Sequence, residues 1–338
     1  MTHYFRPLVQ TGPTRPDGAR TIAGGWGWFA RAEVLTRSGS RGVIEVGQMP
    51  ADAVAAISAA RAPLAGLTLS APRLMGILNV TPDSFSDGGR FDTLDPAVAH
   101  ARAMVAAGAD ILDVGGESTR PGAARVADDV EIQRTAPVIR ALRDASCAPI
   151  SIDTRKAAVA RAALRAGSEL VNDVSALGHD PELAALVADS GLPVCLMHAQ
   201  GEPETMQDAP RYDNVLLDVY DFLAGKIAEA EAAGIARDRI IVDPGIGFGK
   251  TQAHNLALLR GLSLFHGLGC AILLGASRKR FIGTIGGAND PAQRAPGSIA
   301  VALGAVAQGV QILRVHDIAQ TRQALNLTMA VTFDHDKE

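Results

Sequence analysis

The chain has 338 residues, 47% hydrophobic and 20% charged, enough to bury a sizeable core in one large α/β domain or two smaller ones. A formal net charge of −4 leaves no electrostatic footprint for nucleic acid or an anionic membrane. No apolar run is long enough to span a bilayer, no signal-peptide pattern opens the chain, and Cys147, Cys195 and Cys270 are widely spaced among apolar residues, so a cytoplasmic protein with reduced core thiols is expected.

Residues 1–72 stand apart. Both tryptophans fall in one aromatic cluster, Gly24-Gly25-Trp26-Gly27-Trp28-Phe29. Short β-prone pieces follow at Ala32–Leu35 and Gly42–Val46, then a helix near Ala51–Ala60 introduced by Pro50. About 70 residues barely supply a core, so this segment reads as an appended element that packs on the main domain or serves a subunit contact, of unknown role.

From Arg73 the pattern becomes regular, with short β-branched runs alternating with alanine-rich amphipathic stretches. The predicted strands are Leu74–Val80, Ile111–Val114, Pro149–Ile152, Leu170–Asp173, Pro193–His198, Arg239–Val242, Ala271–Leu274 and Gln311–Val315. Asp95-Pro96 and Gly108, Asp180-Pro181 and Gly191, and Ser298 and Gly309 bracket helices between them: aspartate accepts free amides, proline suits the first turn, and glycine takes the left-handed exit. Strands each followed by a helix close into a (β/α)8 TIM barrel over residues 73–333, with a short tail at 334–338. A doubly wound open sheet is the runner-up, but its Gly-x-Gly-x-x-Gly turn is missing after the first strand.

A barrel collects chemistry at the carboxyl ends of its strands. There the sequence places Asn79, Asp113 through Gly122, Asp153-Thr154-Arg155-Lys156, Asn172-Asp173, His198, Asp243 through Lys250, Ser277-Arg278-Lys279-Arg280, and Arg314-Val315-His316-Asp317. Asp317 is read as the N-cap of the last helix. Two carboxylates and an amide (Asp153, Asp243 and Asn172) can accept from the N–H groups of a flat heterocycle, while Lys279 donates to its carbonyl or ring nitrogen. Arg314, His316 and Arg120 suit phosphate oxygens, and Asn79 offers a neutral oxygen for a magnesium ion. The implied substrate is a planar, nitrogen-rich ring joined to a phosphate or diphosphate.

Two loops need their own reading. Gly245–Lys250 nearly matches a phosphate-cradling P-loop, but the first glycine falls on Pro244, so ATP binding is rejected. Its glycines are expected to let a ligand approach the backbone, with Phe248 as an aromatic wall. After Asn79 the chain runs Val-Thr-Pro-Asp-Ser-Phe-Ser-Asp-Gly-Gly, a polar loop whose one aromatic, Phe85, either anchors it to the core or closes as a lid.

Five motifs in order, Met75–Gly89, Asp113–Gly122, Asp243–Lys250, Ser277–Lys279 and Arg314–Asp317, resemble those of the bacterial dihydropteroate synthase family. The resemblance covers roughly four fifths of the chain, from about Leu74 onward, and leaves out residues 1–72. It implies a barrel, commonly homodimeric, that joins 6-hydroxymethyl-7,8-dihydropterin diphosphate to 4-aminobenzoate with magnesium, releasing diphosphate. Carried over by motif, it implies that Asp153, Asn172, Asp243 and Lys279 hold the pterin, and that Asn79 with the metal, Arg120, Arg314 and His316 hold the diphosphate. Phe85, Thr119, Arg120, Pro121, Phe248 and Ser277 would surround the aminobenzoate, and Asp153, Lys279, Arg314 and His316 would act in catalysis. The loops Thr81–Gly89 and Ser118–Ala123 would close on the bound diphosphate, and sulfonamides would mimic aminobenzoate. Arg155 stands where the family usually has a small residue, and Ala199 where methionine is common. The competing readings are a methyltetrahydrofolate methyltransferase of the same superfamily, which lacks a diphosphate pocket, and a non-catalytic pterin-binding paralogue.

Overall fold

The structure is a computed structural model that describes residues 2–81, 94–118, 125–145, 148–201, 206 and 209–332. The N-terminal segment forms β1 (Tyr4–Pro7), β2 (Arg20–Thr21), β3 (Trp28–Phe29), β4 (Arg31–Thr36), β5 (Gly39–Glu45) and α1 (Ala51–Ser58). Strands β1, β4 and β5 pair antiparallel in that order, and β2 pairs with β3. Alternation along β4 turns Ala32, Val34 and Thr36 inward. Ile22, Ala23, Phe29, Ala32, Met49 and Ile57 form a small core of the segment's own.

This core is too small to stand alone, and the segment is fastened to the larger body. The Trp26 indole donates to the Val306 carbonyl at 2.8 Å, and Ser263 Oγ donates to the Pro7 carbonyl at 3.0 Å. Arg61 reaches the carbonyls of Cys270 and His266, each at 3.1 Å.

Beyond it lie β6 (Arg73–Asn79), α2 (Leu94–Ala106), β7 (Ile111–Gly115), α3 (Asp128–Ala145), β8 (Ile150–Asp153), α4 (Ala157–Ala166), β9 (Leu170–Asp173), α5 (Pro181–Ser190) and β10 (Val194–Met197). The chain continues through α6 (Val215–Ala232), β11 (Ile240–Asp243), α7 (Gln252–Arg260), β12 (Ala271–Leu274), α8 (Arg280–Gly286), α9 (Ala295–Val306), β13 (Ile312–Val315) and α10 (Ile318–Thr332). Strands β6 to β13 close in sequence order into a parallel barrel, β13 pairing with β6. The expected (β/α)8 architecture is therefore present. Among the described residues no helix is long and apolar enough to cross a membrane.

Helix ends follow the predicted chemistry in part. Asp180 caps α5 by accepting from the Glu182 amide at 3.0 Å, and Gly191 leaves it at φ +63°. Ser298, by contrast, lies inside α9, which starts at Ala295; its hydroxyl donates to the Arg294 carbonyl and accepts from the Arg278 amide. Asp317 does stand at the N-cap position of α10, its carbonyl accepting from the Thr321 amide at 3.0 Å, but its side chain pairs with the Arg278 guanidinium, Nε at 3.0 Å.

Period-two alternation sorts the barrel strands into two faces. Leu74, Leu112, Ile150, Val171, Leu196, Val242, Ile272 and Leu313 pack in the large core shared with the helices. Inside, the lower layer is apolar: Met75, Ile111, Leu170, Cys195, Ile241, Leu273 and Ile312. Leu64 and Leu69 join this layer from the N-terminal side, and Leu64 and Leu67 exchange backbone hydrogen bonds at 3.0 and 2.9 Å. They plug the amino end of the barrel. Cys195 and Cys270 are buried free thiols, while Cys147 lies outside the described residues.

Candidate active site

Two residues further along each strand, the same alternation carries the inward positions to the carboxyl end, where they turn polar. Ile77 gives way to Asn79, Ile111 to Asp113, Ser151 to Asp153, Leu170 to Asn172, Ile241 to Asp243 and Ile312 to Arg314. Pairing registers set Asp153 beside Asn172 on β9 and Gly115 on β7. Six polar side chains thus face one enclosed mouth, five of them predicted as site residues.

Arg314 is the hub. Its Nε donates to Asp113 Oδ2 at 2.6 Å and its Nη2 to Asp153 Oδ2 at 2.7 Å. Asn172 Nδ2 donates to the same Asp113 oxygen at 3.1 Å. A side chain at Gly275 would meet Asp243 Oδ2 at 3.6 Å and Arg314 at 3.9 Å, so these two groups share one space. The two predicted groups, ring-reading and anion-holding, therefore overlap: the guanidinium expected to meet diphosphate sits among the carboxylates expected to face the ring.

The charges do not cancel. One guanidinium balances one carboxylate, and Asp113 and Asp153 both face Arg314. Burial, with repulsion from Asp113 outweighing part of the Arg314 attraction, pushes the Asp153 carboxyl up to about 7. Burial works against the Arg314 charge, but Asp113 and Asp153 offset it and raise the guanidinium above its ordinary value. Burial also raises Asp243, opposed by Lys279. The Lys279 ammonium is drawn down to about 8 by burial, with Asp243 pulling the other way.

Lys279 Nζ donates to the Ile246 carbonyl and stands 4.5 Å from the centroid of the Phe248 ring, within cation–π range. Ser277 and His316 meet directly: Ser277 Oγ lies 3.0 Å from His316 Nδ1 and accepts from the His316 amide at 3.2 Å. The serine expected at the aminobenzoate and the histidine expected at the diphosphate thus form one unit at the rim. Phe85, Thr119, Arg120 and Pro121 lie outside the described residues, as do most of the two loops expected to close.

Several strand-end groups are structural. Lys250 is buried, and its ammonium meets His198 Nδ1 at 2.8 Å and the Gly245 and Phe248 carbonyls at 2.9 and 3.0 Å, so it braces its own loop. Burial and the neighbouring Lys250 charge bring His198 down to about 3. The glycines of this loop serve packing more than ligand approach: a Cβ at Gly245 would lie 1.9 Å from the His198 carbonyl oxygen, and one at Gly249 2.3 Å from that of Gln200. Both have positive φ, +67° and +62°, and both let the loop sit against the exit of β10. Asp173 accepts from the Ser175 and Leu177 amides at 2.7 and 2.6 Å and shapes the turn after β9.

Beside the mouth, buried Lys156 bonds Glu117, Glu131 Oε2 at 2.6 Å and the Val126 carbonyl at 2.6 Å, and Arg155 reaches Glu117 at 3.3 Å. Arg155, where the resemblance leads one to expect a small residue, therefore pairs with Glu117 in this buried cluster. The group to which the sequence pattern alone assigns no role is Asp113. Its signal was available, since an aspartate two positions after an inward-facing isoleucine must face the barrel interior.

Among the described residues no three His, Cys, Asp or Glu side chains gather as a metal cage. A side chain at Gly115 would meet Asn79 Oδ1 and Asp153 Cβ, each at 3.5 Å, so the neutral amide stands beside a carboxylate at the mouth. That donor set fits magnesium, which needs few protein oxygens when a substrate supplies phosphate.

Comparison with known proteins follows the same residues. The family model "Pterin binding enzyme" matches residues 75–316. Dihydropteroate synthase of Escherichia coli K12 is 48% identical over 264 residues, 78% of this chain and 93% of that protein. A structure of Xanthomonas albilineans dihydropteroate synthase with 4-aminobenzoic acid is 49% identical and superposes with a TM-score of 0.76, covering 80% of this chain and 97% of that one. A second structure from that organism, with 7,8-dihydropteroate, gives 46% identity and a TM-score of 0.72 over 78% and 95% of the two chains.

Proposed function

The chain belongs to the pterin-binding enzymes and, among them, to the dihydropteroate synthases, and from that premise we propose how its mouth condenses 6-hydroxymethyl-7,8-dihydropterin diphosphate with 4-aminobenzoate. The carrying observation is Arg314 bound at once to Asp113 and Asp153, which brings a cation for the leaving group within reach of acceptors for the ring.

Asp153, Asn172 and Asp243 accept from ring N–H groups, and Lys279 donates to the ring carbonyl or nitrogen. The bond between the pterin methylene and the diphosphate oxygen breaks first, its electron pair leaving with the oxygen. Arg314 and His316 stabilise that departing charge, and ionised Asp153 stabilises the methylene cation through the ring. The aniline nitrogen of aminobenzoate then attacks with its lone pair and afterwards loses a proton, so no strong base is needed. Asn79, with the diphosphate's own oxygens, would hold magnesium, which supplies further charge neutralisation when bound.

Phe248 and Ser277 would line the aminobenzoate site together with Phe85, Thr119, Arg120 and Pro121. Closure over the site would keep water from capturing the cation. A cytoplasmic homodimer is proposed on the same footing. The test is diphosphate release when aminobenzoate is added to the purified chain with the pterin diphosphate and magnesium. Stoichiometric dihydropteroate is expected; pterin binding without release would refute the assignment.

A further inference from the structure

Asp113 lies within β7, below the rim, and has no exposed surface. Its Oδ2 accepts from both Arg314 and Asn172, while Oδ1 is enclosed with no hydrogen-bond partner among the described residues. An ionised carboxylate only accepts hydrogen bonds, so it dictates the attitude of both neighbours. The Asn172 amide must turn its nitrogen down toward Asp113, which leaves its oxygen free to accept a ring N–H. The guanidinium is gripped at Nε by Asp113 and at Nη2 by Asp153, leaving its other N–H groups for substrate oxygens.

We propose that Asp113 is a positioning residue that sets Asn172 and Arg314 together, tying ring recognition to leaving-group stabilisation. This rests on the reaction proposed above. An aspartate needed only for packing would contribute to folding without linking these two functions. An asparagine at 113 can keep its oxygen in the place of Oδ2, with its N–H2 group on the unpartnered side, and so still hold both donors, whereas an alanine removes the acceptor they share.

The first test is Asp113→Ala in the full chain, with Asp113→Asn as the conservative variant that should recover part of the loss, and steady-state kinetics for both substrates. KM for the pterin diphosphate should rise and kcat should fall, each by about tenfold or more, with the aminobenzoate KM within about twofold of wild type. A folded variant with both pterin parameters unchanged, or with both KM values raised alike, would overturn the proposal.

If that variant does not fold, a cycle that leaves Asp113 intact decides. Arg314→Lys and Asn172→Ala, singly and together, are titrated calorimetrically with 6-hydroxymethyl-7,8-dihydropterin, the ring without its diphosphate. Coupling through Asp113 makes the double variant's loss about threefold or more smaller than the product of the single losses. Strictly multiplicative losses would overturn the proposal. A wild-type chain that bound this ligand but released no diphosphate from the pterin diphosphate and aminobenzoate would instead refute the proposed reaction, leaving the cycle intact.

Discussion

Ring binding should depend on pH through Asp153. Its carboxyl is buried and held up to about 7, and only the ionised form accepts from a ring N–H on both oxygens or opposes a cation. Affinity for 6-hydroxymethyl-7,8-dihydropterin should therefore climb as pH rises toward 7 and level off above it. One pH unit below the midpoint only about a tenth of the sites are ionised, so Kd at pH 6 should exceed the pH 8 value about tenfold, roughly 1.4 kcal/mol. The sign for stability is opposite. The folded chain retains a proton that the unfolded chain releases near pH 4, so this group's contribution is full below that value and is lost as pH rises to about 7. Calorimetric titrations from pH 5.5 to 8.5 in about half-unit steps cover the window set by these values. Asp153→Asn is the control, expected to bind more weakly and with no slope. A flat wild-type profile, or an unchanged slope in the variant, would refute the assignment of the titrating group to Asp153.

Asp243→Ala should weaken the same ligand about tenfold to a hundredfold, because it strands ring donors and releases the Gly245 amide now held at 2.7 Å; unchanged affinity by calorimetry would remove it from the ring site. Phe85→Ala should raise the aminobenzoate KM while sparing pterin diphosphate affinity, and equal values for variant and wild type would argue against a lid. Leu64→Ala removes a side chain 2% exposed inside the barrel end and should cost about 2–5 kcal/mol in urea unfolding without changing either KM. A stability loss below about 1 kcal/mol would mean that Leu64 does not fill the plug.

Much of the barrel could be read because strand and helix periodicities alternate without interruption from Arg73 onward. The candidate site could be read because most of its inward positions change from apolar to polar within two residues. Ile241 to Asp243 and Ile312 to Arg314 show this most clearly. What pairing does was less visible: sequence sorts Arg314 by charge toward an anion, whereas closure of the barrel brings β13 within reach of Asp113 on β7 and Asp153 on β8. Lys250 and His198 look equally chemical in sequence, yet a buried bond between them makes them a brace for one loop. The glycines at 245 and 249 signal close approach, but sequence cannot tell a ligand from a neighbouring carbonyl. Ser298 was misplaced as a helix boundary, and Asp317 stands at one but turns its side chain away, because Arg278, distant in sequence from both, claims their side chains. The first 72 residues were legible only as pieces, since β1 pairs across the chain to β4 and Leu64–Leu69 owe their burial to strands not yet encountered.

Because the leucine stopper occupies the end of the cylinder away from the catalytic rim, the two ends present separate engineering problems. Substitutions at Leu64 or Leu69 would leave the substrate entrance untouched. Cutting the chain at residue 72 would uncork the hydrophobic bore instead, trading a catalyst with an open doorway for one with a wet foundation.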